Sequence, residues 1–255
     1  MLSRLLRQFL FTLTHWVVNV LVAVQNVYCR FWTKKGDFPS DQGTEKDIKV
    51  ILKHLPDIKK KPKHLVVLAD TSEHSLQSLA LVVIWSLVAG VPYVSFHDIT
   101  GELKSNEEKL FLEVEKCKKG IPGCIKWSKL PNLNGYTNGT QAHTVTVNIF
   151  TSSDGRPKIA QCISDIANNK VICRRESEEY TAQELGEALA VMYPPAIPDP
   201  ELILYSGSLC SSHGFLPWQV RLTEFVQVSI DHCINVNSYL GALYKYNKCD
   251  QRFGK

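Results

Sequence analysis

The sequence predicts an α/β fold: a mainly parallel central sheet flanked by helices, preceded by an N-terminal membrane helix. Short apolar runs typical of buried strands alternate with stretches typical of helices, as in parallel α/β sheets. Hydrophobic residues make up 44% of the 255 residues and charged residues 21%, which suits one sizeable core. Near the start, roughly 21 consecutive residues carry no Lys, Arg, Asp or Glu.

Residues 1–32 are interpreted as a membrane anchor. The uncharged run from Phe9 to Cys29 is about as long as a helix needs to be to cross a bilayer. Trp16 and Trp32 would lie at the level of the lipid headgroups, and arginines flank the run on both sides. A helix lying flat in the interface is one alternative. A cleaved signal peptide is another, although no small-x-small cleavage site follows the run. The basic flanks leave the orientation open.

Residues 33–63 are predicted to form a polar, basic linker close to the membrane. Glycines and prolines interrupt it, although a partly helical middle over 45–55 is compatible with the pattern. The lysines near its end would favour an anionic leaflet. These are Lys59, Lys60, Lys61 and Lys63. A solvated charged linker without lipid recognition is the simpler interpretation.

The globular domain is predicted over 64–255. Its first strand is the apolar run 65–69. A core helix follows over 75–89, with Ser72 placed to cap it, and it is too short for a second membrane span. The next predicted strand is 93–97. Strand, helix and strand in this order indicate a parallel pair.

The same alternation continues to the end of the chain. The pair Ser105 and Glu108 has the spacing of a capping box and predicts a helix to about residue 119. A Thr/Val alternation over 144–150 predicts a strand. Pro157 suits the first turn of a helix, and Thr181 begins a second capping box. The remaining predicted elements are helices over 158–168 and 181–192 and a strand over 202–205.

Composition excludes several classes of function. The net charge of +4 is too modest to indicate a nucleic-acid binder. Eight cysteines lie scattered without a Cys-x-x-Cys pair, which indicates reduced thiols in a cytosol-facing domain. No dinucleotide fingerprint, P-loop or nucleophile elbow occurs. The adjacent His97 and Asp98 lack a second His/Asp cluster, so Asp98 is interpreted as a capping residue at a strand end.

The order of segments resembles the cis-prenyltransferases, which elongate isoprenoid diphosphates with isopentenyl diphosphate. The opening strand His-Leu-Val-Val-Leu-Ala-Asp, ending at Asp70, resembles the family's first motif. Ser-Ser-Asp-Gly-Arg over 152–156 resembles its mid-chain turn. Phe-Leu-Pro-Trp-Gln over 215–219 and Arg-Leu-Thr-Glu over 221–224 resemble its late segment. The resemblance covers 64–255 and is tightest after residue 199.

Against the family pattern, the diphosphate site of this chain is degraded. In the family the first Asp continues Gly-Asn-Arg-Arg, whereas Asp70 is followed by Thr-Ser-Glu-His. Leu204, Ser208 and Ser211 stand where the family has Arg, Glu and Arg, and Glu224 matches its second acidic position. Each lost Arg–phosphate contact costs about 1.5–3 kcal/mol. The chain is therefore not expected to catalyse the reaction alone.

The resemblance implies an accessory, pseudo-enzyme subunit of a heteromeric cis-prenyltransferase. Such a complex condenses isopentenyl diphosphate onto farnesyl diphosphate to make polyprenyl (dehydrodolichyl) diphosphate for dolichol synthesis and protein glycosylation. By this resemblance Arg252, Phe253 and Gly254 of the tail bind isopentenyl diphosphate in the catalytic partner's site, and the partner holds Mg²⁺. Arginine offers a planar fork that suits phosphate, and glycine allows close backbone approach.

The resemblance also implies a partner surface and a location. Phe215, Trp218, Leu222 and Phe225 lie in the segment that homodimeric relatives use for self-association, although each is equally compatible with an ordinary core position. The expected location is the endoplasmic reticulum membrane, with the domain facing the cytosol. Two alternatives are a membrane receptor or scaffold without a catalytic role, and a self-sufficient enzyme.

Overall fold

The structure, a computed structural model, describes residues 2–33, 41–127, 130–134, 143–168, 180–193 and 197–250. The chain divides into two compact units, Met1–Pro39 and Ser40–Lys255. Each unit is described by itself below.

The first unit contains one helix, α1 (Leu2–Thr33), of 32 residues. Phe9, Phe11 and Trp16 are among its exposed apolar side chains. In the described part of the chain, no helix is both long enough and apolar enough to cross a membrane. The predicted membrane-spanning helix is therefore not confirmed.

The second unit is built on a six-stranded sheet with the strand order β3-β4-β2-β1-β5-β6. All five strand pairs are parallel, which confirms the predicted sheet. The strands are β1 (His64–Ala69), β2 (Tyr93–Asp98), β3 (Cys124–Trp127), β4 (Thr144–Thr151), β5 (Leu202–Ser206) and β6 (Glu224–Ser229). Strand β2 lies on one side of β1 and β5 on the other. The strand order therefore reverses here, and in such sheets ligands bind beyond the carboxyl ends of the strands at the reversal.

Helices cover both faces of this sheet. They are α2 (Asp41–His54), α3 (Leu76–Ala89), α4 (Glu102–Ser105), α5 (Glu107–Lys118), α6 (Arg156–Ala167), α7 (Ala182–Val191) and α8 (Val236–Lys248). Successive residues of a strand point to opposite faces. Leu65 and Val67 accordingly join the main core with α3 and α8, whereas Val66 and Leu68 join a smaller cluster around Phe215.

Helix α3 is the centre of the main core, since ten of its 14 residues are buried. The predicted end at Gly90 is confirmed, because this residue adopts φ 78 in the left-handed region and closes the helix. The prediction that Ser72 caps α3 is wrong. Ser75 caps the helix by accepting a hydrogen bond from the Ser78 backbone N–H, and Ser72 bonds to Asp70 instead.

The predicted capping box of Ser105 and Glu108 is also wrong. Ser105 ends the short helix α4, and α5 begins after Asn106 without a side-chain cap. The capping box of Thr181 and Glu184 is confirmed, with both reciprocal hydrogen bonds present at the start of α7. The Ser105 hydroxyl instead donates to the Gly101 carbonyl at 3.2 Å, four residues back in the chain, and so caps nothing in α5.

The second unit begins earlier than the predicted domain boundary at His64. Helix α2 packs against α3 and α8, and Ile51 within it is fully buried. Ile58, in the segment after α2, is buried in the same core. Apolar residues spaced three and four apart place one face of α2 on the domain. The second half of the predicted linker is therefore part of the folded unit.

Candidate functional site

A crevice of about 230 Å³ lies at the carboxyl ends of β1 and β5, where the strand order reverses. It is bounded by the loop after β1, the loop after β5 and the loop before α8. Its described lining residues are Leu68, Asp70, His74, Ile99, Tyr205, Ser206, Gly207, Ser208, Leu209, His213 and His232. One carboxylate and three imidazoles are its ionisable groups, apart from the Tyr205 phenol.

Asp70 follows the last residue of β1 and stays ionised. Its Oδ1 accepts hydrogen bonds from the Ser72 backbone N–H at 2.9 Å and from the Ser72 hydroxyl at 2.6 Å. Partial burial raises the pKa of the carboxyl, but these bonds outweigh it and hold the pKa below its ordinary value. One oxygen is thus already engaged within its own turn.

His74 closes the floor of the crevice. It is only 4% exposed. Its Nε2 lies 3.2 Å from the Ser206 hydroxyl, and its Nδ1 accepts from the Asp70 backbone N–H at 3.1 Å. Burial lowers the pKa of His74, so its imidazole is neutral near pH 7. A neutral imidazole adds no positive charge to the crevice.

His232 packs edge-on against His74, with 5.4 Å between the ring centroids. It adopts φ 60, and its Nδ1 is buried without a hydrogen-bond partner among the described residues. The loop after β5, on the opposite side of the crevice, is hydrogen-bonded to β6. Gly207, at φ 85, donates its N–H to the Ser229 carbonyl at 2.9 Å. Ser208 then lies exposed at the mouth of the crevice.

The electrostatics of the crevice do not suit a free diphosphate. None of its described lining residues is Lys or Arg. Phosphate sites in proteins rely on such cations or on clustered backbone donors. The single ionised carboxylate of Asp70 adds repulsion.

The crevice does not suit Mg²⁺ either. Mg²⁺ prefers an octahedral shell of oxygen ligands, whereas Asp70 is the one carboxylate among the lining residues. Across the described parts of the chain, no group of three or more His, Cys, Asp or Glu residues could hold a metal ion. The described lining residues therefore do not fit Mg²⁺, which the resemblance assigns to the catalytic partner and not to this chain.

Glu224, the second acidic position, lies at the amino ends of the strands, whereas Asp70 lies beyond their carboxyl ends. Glu224 is the first residue of β6 and pairs with Leu202, which pairs with Leu65. Asp70 lies five residues beyond Leu65, which at about 3.3 Å per residue is about 16 Å along the strands. Within one chain, Asp70 and Glu224 cannot share a ligand.

The structure brings Asp70 and Ser208 together but not the other degenerate positions. Leu204 is fully buried in the main core, paired with Val67 and Val226 on the neighbouring strands. Tyr205, on the opposite face of β5, lines the crevice in its place. Ser211 lies outside the lining, where its hydroxyl accepts from the His213 backbone N–H at 3.2 Å.

The sequence interpretation of Asp98 is confirmed. Asp98 is fully buried and accepts hydrogen bonds from the backbone N–H groups of Gly101 and Lys104, each at 2.8 Å. It therefore caps the turn into α4. The adjacent His97 places its Nε2 3.0 Å from the His213 carbonyl, which ties the end of β2 to the loop after β5.

Comparison with known proteins gives the family. No protein-family model matches the sequence. Over 203 residues the chain is 30% identical to the mouse protein named dehydrodolichyl diphosphate synthase complex subunit Nus1, covering 78% of this chain and 67% of the relative. The human subunit of the same name is 29% identical over 203 residues, covering 78% and 68%. The chain belongs to the Nus1 family.

The fold has a solved counterpart. Lavandulyl diphosphate synthase from Lavandula x intermedia, solved in complex with dimethylallyl diphosphate, superposes with a TM-score of 0.52. The superposition covers 76% of this chain and 99% of that one, at 14% sequence identity. At this identity the likeness shows the fold alone.

The four predicted partner-interface residues of this Nus1-family chain have different environments. Phe215 is 1% exposed and packs between His97 at 5.2 Å and Phe150 at 5.9 Å between ring centroids. It therefore belongs to the core of the chain. Trp218 is half-buried beside α7, Phe225 is half-buried against the cluster around Phe215, and Leu222 is 41% exposed.

The predicted tail residues Arg252, Phe253 and Gly254 lie outside the described residues. The last described residue is Asp250, two residues after helix α8. His213 and His232 line the crevice, although no motif in the sequence marks either of them. No local signal could have found them, because they meet the β1 loop only through the strand order.

Proposed function

We propose that this chain is the accessory subunit of a two-component cis-prenyltransferase, dehydrodolichyl diphosphate synthase. The complex condenses isopentenyl diphosphate onto farnesyl diphosphate and makes polyprenyl diphosphate for dolichol synthesis and protein glycosylation. The names of the Nus1-family relatives support the assembly. The six-stranded parallel sheet, a fold shared with a solved diphosphate synthase, is compatible with this role.

One observation carries the accessory role: the crevice after β1 and β5 contains an ionised carboxylate and no Lys or Arg among its described lining. A diphosphate brings two to three negative charges, and arginines normally compensate them through charge-assisted bonds. With neutral His74 on the floor, the described lining of the crevice offers no cation that could hold either substrate there. We expect the purified chain to be inactive.

The partner subunit is then expected to provide the arginines and Mg²⁺. This chain contributes its tail. Arg252 supplies a planar set of donors, and Gly254 lets backbone N–H groups approach phosphate oxygens. Donors fixed in advance around a departing diphosphate stabilise its developing charge. In the sequence, Arg252 is four residues after the end of α8 at Lys248, so the tail starts from an ordered helix.

Attachment to the endoplasmic reticulum membrane, with the domain facing the cytosol, belongs to the same proposal. Helix α1 exposes aromatic and aliphatic side chains, among them Phe9, Phe11, Trp16 and Leu21. Side chains of this kind bury favourably in lipid, whether a helix crosses the bilayer or lies in its interface. Fractionation of the full chain with and without residues 1–32 tests the attachment.

The deciding experiment is a reconstitution with farnesyl and isopentenyl diphosphates. This chain, its catalytic partner and the mixture of the two are assayed for polyprenyl diphosphate. Arg252→Ala is compared with Lys248→Ala, which removes an exposed cation from the last turn of α8. The expected result is high activity in the mixture alone, lost with Arg252→Ala and kept with Lys248→Ala.

Other results would point elsewhere. If the mixture is no faster than the partner alone, the accessory role fails and the receptor or scaffold function takes its place. Turnover by this chain alone would instead establish a self-sufficient enzyme. Activity in the mixture that survives Arg252→Ala would keep the accessory role but reject the role of the tail.

A further inference from the structure

The segment between α2 and β1, residues 55–63, runs along the last turn of α8 and is called the strap here. Helix α2, which precedes the strap, is already hydrogen-bonded to α8 at its last residue: the Nδ1 of His54 lies 2.9 Å from the Tyr244 hydroxyl. Further along, the Lys60 backbone N–H donates to the Asn247 side chain at 2.8 Å. The strap thus follows α8 towards its carboxyl end.

Lys60 makes three contacts with the end of α8. Besides the backbone bond, its Nζ donates to the Cys249 carbonyl at 2.8 Å. The same ammonium lies over the ring of Tyr246, 4.7 Å from the centroid. Tyr246 is 1% exposed, and its hydroxyl donates to Glu201 at 2.8 Å. The ammonium of Lys60 therefore lies on a ring whose position is fixed by burial and by the hydrogen bond to Glu201.

These contacts fall where the chain leaves the helix. Cys249 is the C-cap of α8 and has an extended conformation, φ −75 and ψ 126, so the helical path ends here. The carbonyls of a last helical turn lack partners within the helix and carry partial negative charge. A lysine ammonium on the Cys249 carbonyl satisfies one of them and fixes the plane of the next peptide bond, which leads into Asp250.

We infer that Lys60 is a positioning residue for the C-terminal tail. By fixing the Cys249 carbonyl, Lys60 sets the direction in which the chain leaves α8 at Asp250. The inference rests on the proposed function, in which Arg252 acts in the active site of the partner. In the sequence Arg252 is only three residues beyond Cys249, so where Arg252 can reach depends on the conformation of the chain at the helix end. Lys60 itself touches no substrate.

The test compares Lys60→Met with Lys59→Met in the two-subunit complex. Methionine keeps an unbranched apolar stem and removes the ammonium. Lys59 is the exposed neighbour on the same strap, so its variant removes the same charge. Lys60→Met is expected to raise KM for isopentenyl diphosphate about tenfold, since small misplacements of binding groups are costly. Lys59→Met is expected to change it by less than about twofold. Lys60→Arg is expected to restore most of the loss.

A double-mutant cycle separates positioning from a general structural effect. In the Arg252→Ala background, Lys60→Met is expected to add little, because Lys60 acts through that arginine. Full additivity of the two losses would overturn the inference. Equal kinetics for Lys60→Met and Lys59→Met would overturn it as well, while leaving the accessory role intact if Arg252→Ala is inactive.

A readout without catalysis completes the test. An arginine-specific protease cleaves after Arg252, and in the isolated chain the cleavage is expected to be faster in Lys60→Met than in Lys59→Met. Should Lys60→Met fail to fold, Asn247→Ala removes the acceptor of the Lys60 backbone N–H and serves as the second variant. If Asn247→Ala left both KM and cleavage unchanged, the strap would have no role in positioning the tail.

Discussion

The His64 imidazole on β1 reaches diagonally across to Ser95 on β2, with 2.8 Å between its Nε2 and the serine hydroxyl. The other ring nitrogen, Nδ1, lies 2.7 Å from the Pro198 carbonyl just before β5. One buried imidazole therefore connects β1, β2 and the segment that leads into β5. Burial lowers the pKa of His64 to about 4, although the bond to Pro198 and the charge of Glu201 oppose this.

The stability of the domain is predicted to fall as pH falls from about 6.5 to about 4. In this window the unfolded chain binds a proton at His64 and the folded chain does not, so acid favours unfolding. Above about pH 6.5, His64 is neutral in both the folded and the unfolded chain, so it adds no pH dependence to the stability. The lowered pKa corresponds to at most about 3 kcal/mol across the window. Burial also lowers the pKa of His74 and of His97, which act in the same direction.

Denaturant unfolding at several pH values measures this slope. His64→Leu removes the titrating group and is expected to flatten the slope, while lowering stability at pH 7 because Ser95 and the Pro198 carbonyl lose a partner. A slope that is unchanged in His64→Leu would contradict the assignment of the effect to His64.

Leu204→Arg is predicted to destabilise the domain by about 3 kcal/mol or more and not to create a diphosphate site. Leu204 is fully buried among apolar residues, so the guanidinium would have no counter-charge. Tyr205→Arg is the matched control, because Tyr205 lines the crevice on the other face of β5.

Thermal unfolding and diphosphate binding check both variants. Tyr205→Arg is expected to fold and to bind inorganic diphosphate more tightly than the unmodified chain. A stable Leu204→Arg variant that binds diphosphate would show that Leu204 faces the crevice after all.

Phe215→Ala is predicted to reduce the stability of the isolated chain by about 3–5 kcal/mol, because it empties a site between two aromatic rings. Leu222→Ala, at a 41% exposed position, is expected to change stability by less than about 1 kcal/mol. Urea unfolding of the isolated chain measures the stability of both variants, and the affinity of each variant for the catalytic partner is measured separately. Loss of affinity in Leu222→Ala without loss of stability would support Leu222 as an interface residue.

How far the sequence predicts the fold depends on how local each signal is. The apolar runs of β1 and β5 and the capping box at Thr181 are local, and the sequence predicts them. Strand β3 is only four residues long, and α8 mixes aromatic residues with Gly241, so neither stands out. The sequence does not place α2 in the domain, because the surfaces of α3 and α8 on which α2 packs exist only in the folded chain.

The site is harder to predict than the fold, for a physical reason. In a strand that is buried on both faces, apolar residues do not alternate with polar ones, so the sequence does not show which residues face a ligand. Leu204 and Tyr205 could therefore not be separated by pattern. His74 and His232 lie far apart in the sequence and meet only because β5 and β6 follow β1 in the sheet.

Gly155→Ala is predicted to destabilise the domain by about 1–3 kcal/mol and to alter the crevice. A Cβ at Gly155 would collide with the Gly214 carbonyl, and backbone on both sides leaves little room to relax. The loop that carries Gly214 also carries His213, whose carbonyl holds His97. Moving this loop therefore changes both the crevice lining and the end of β2.

Gly241→Ala is the matched control for this substitution. Gly241 lies in the interior of α8 and is exposed, and a Cβ there meets nothing within 4 Å. Alanine is expected to stabilise the helix by about 0.5–1 kcal/mol, since glycine is the poorer helix former. Melting curves of the two variants, measured together, test the expected loss of stability in Gly155→Ala and the expected gain in Gly241→Ala. Equal effects at the two glycines would mean that the close approach of Gly155 to Gly214 does not constrain the loop, and the crevice would then be less rigid than its hydrogen bonds indicate.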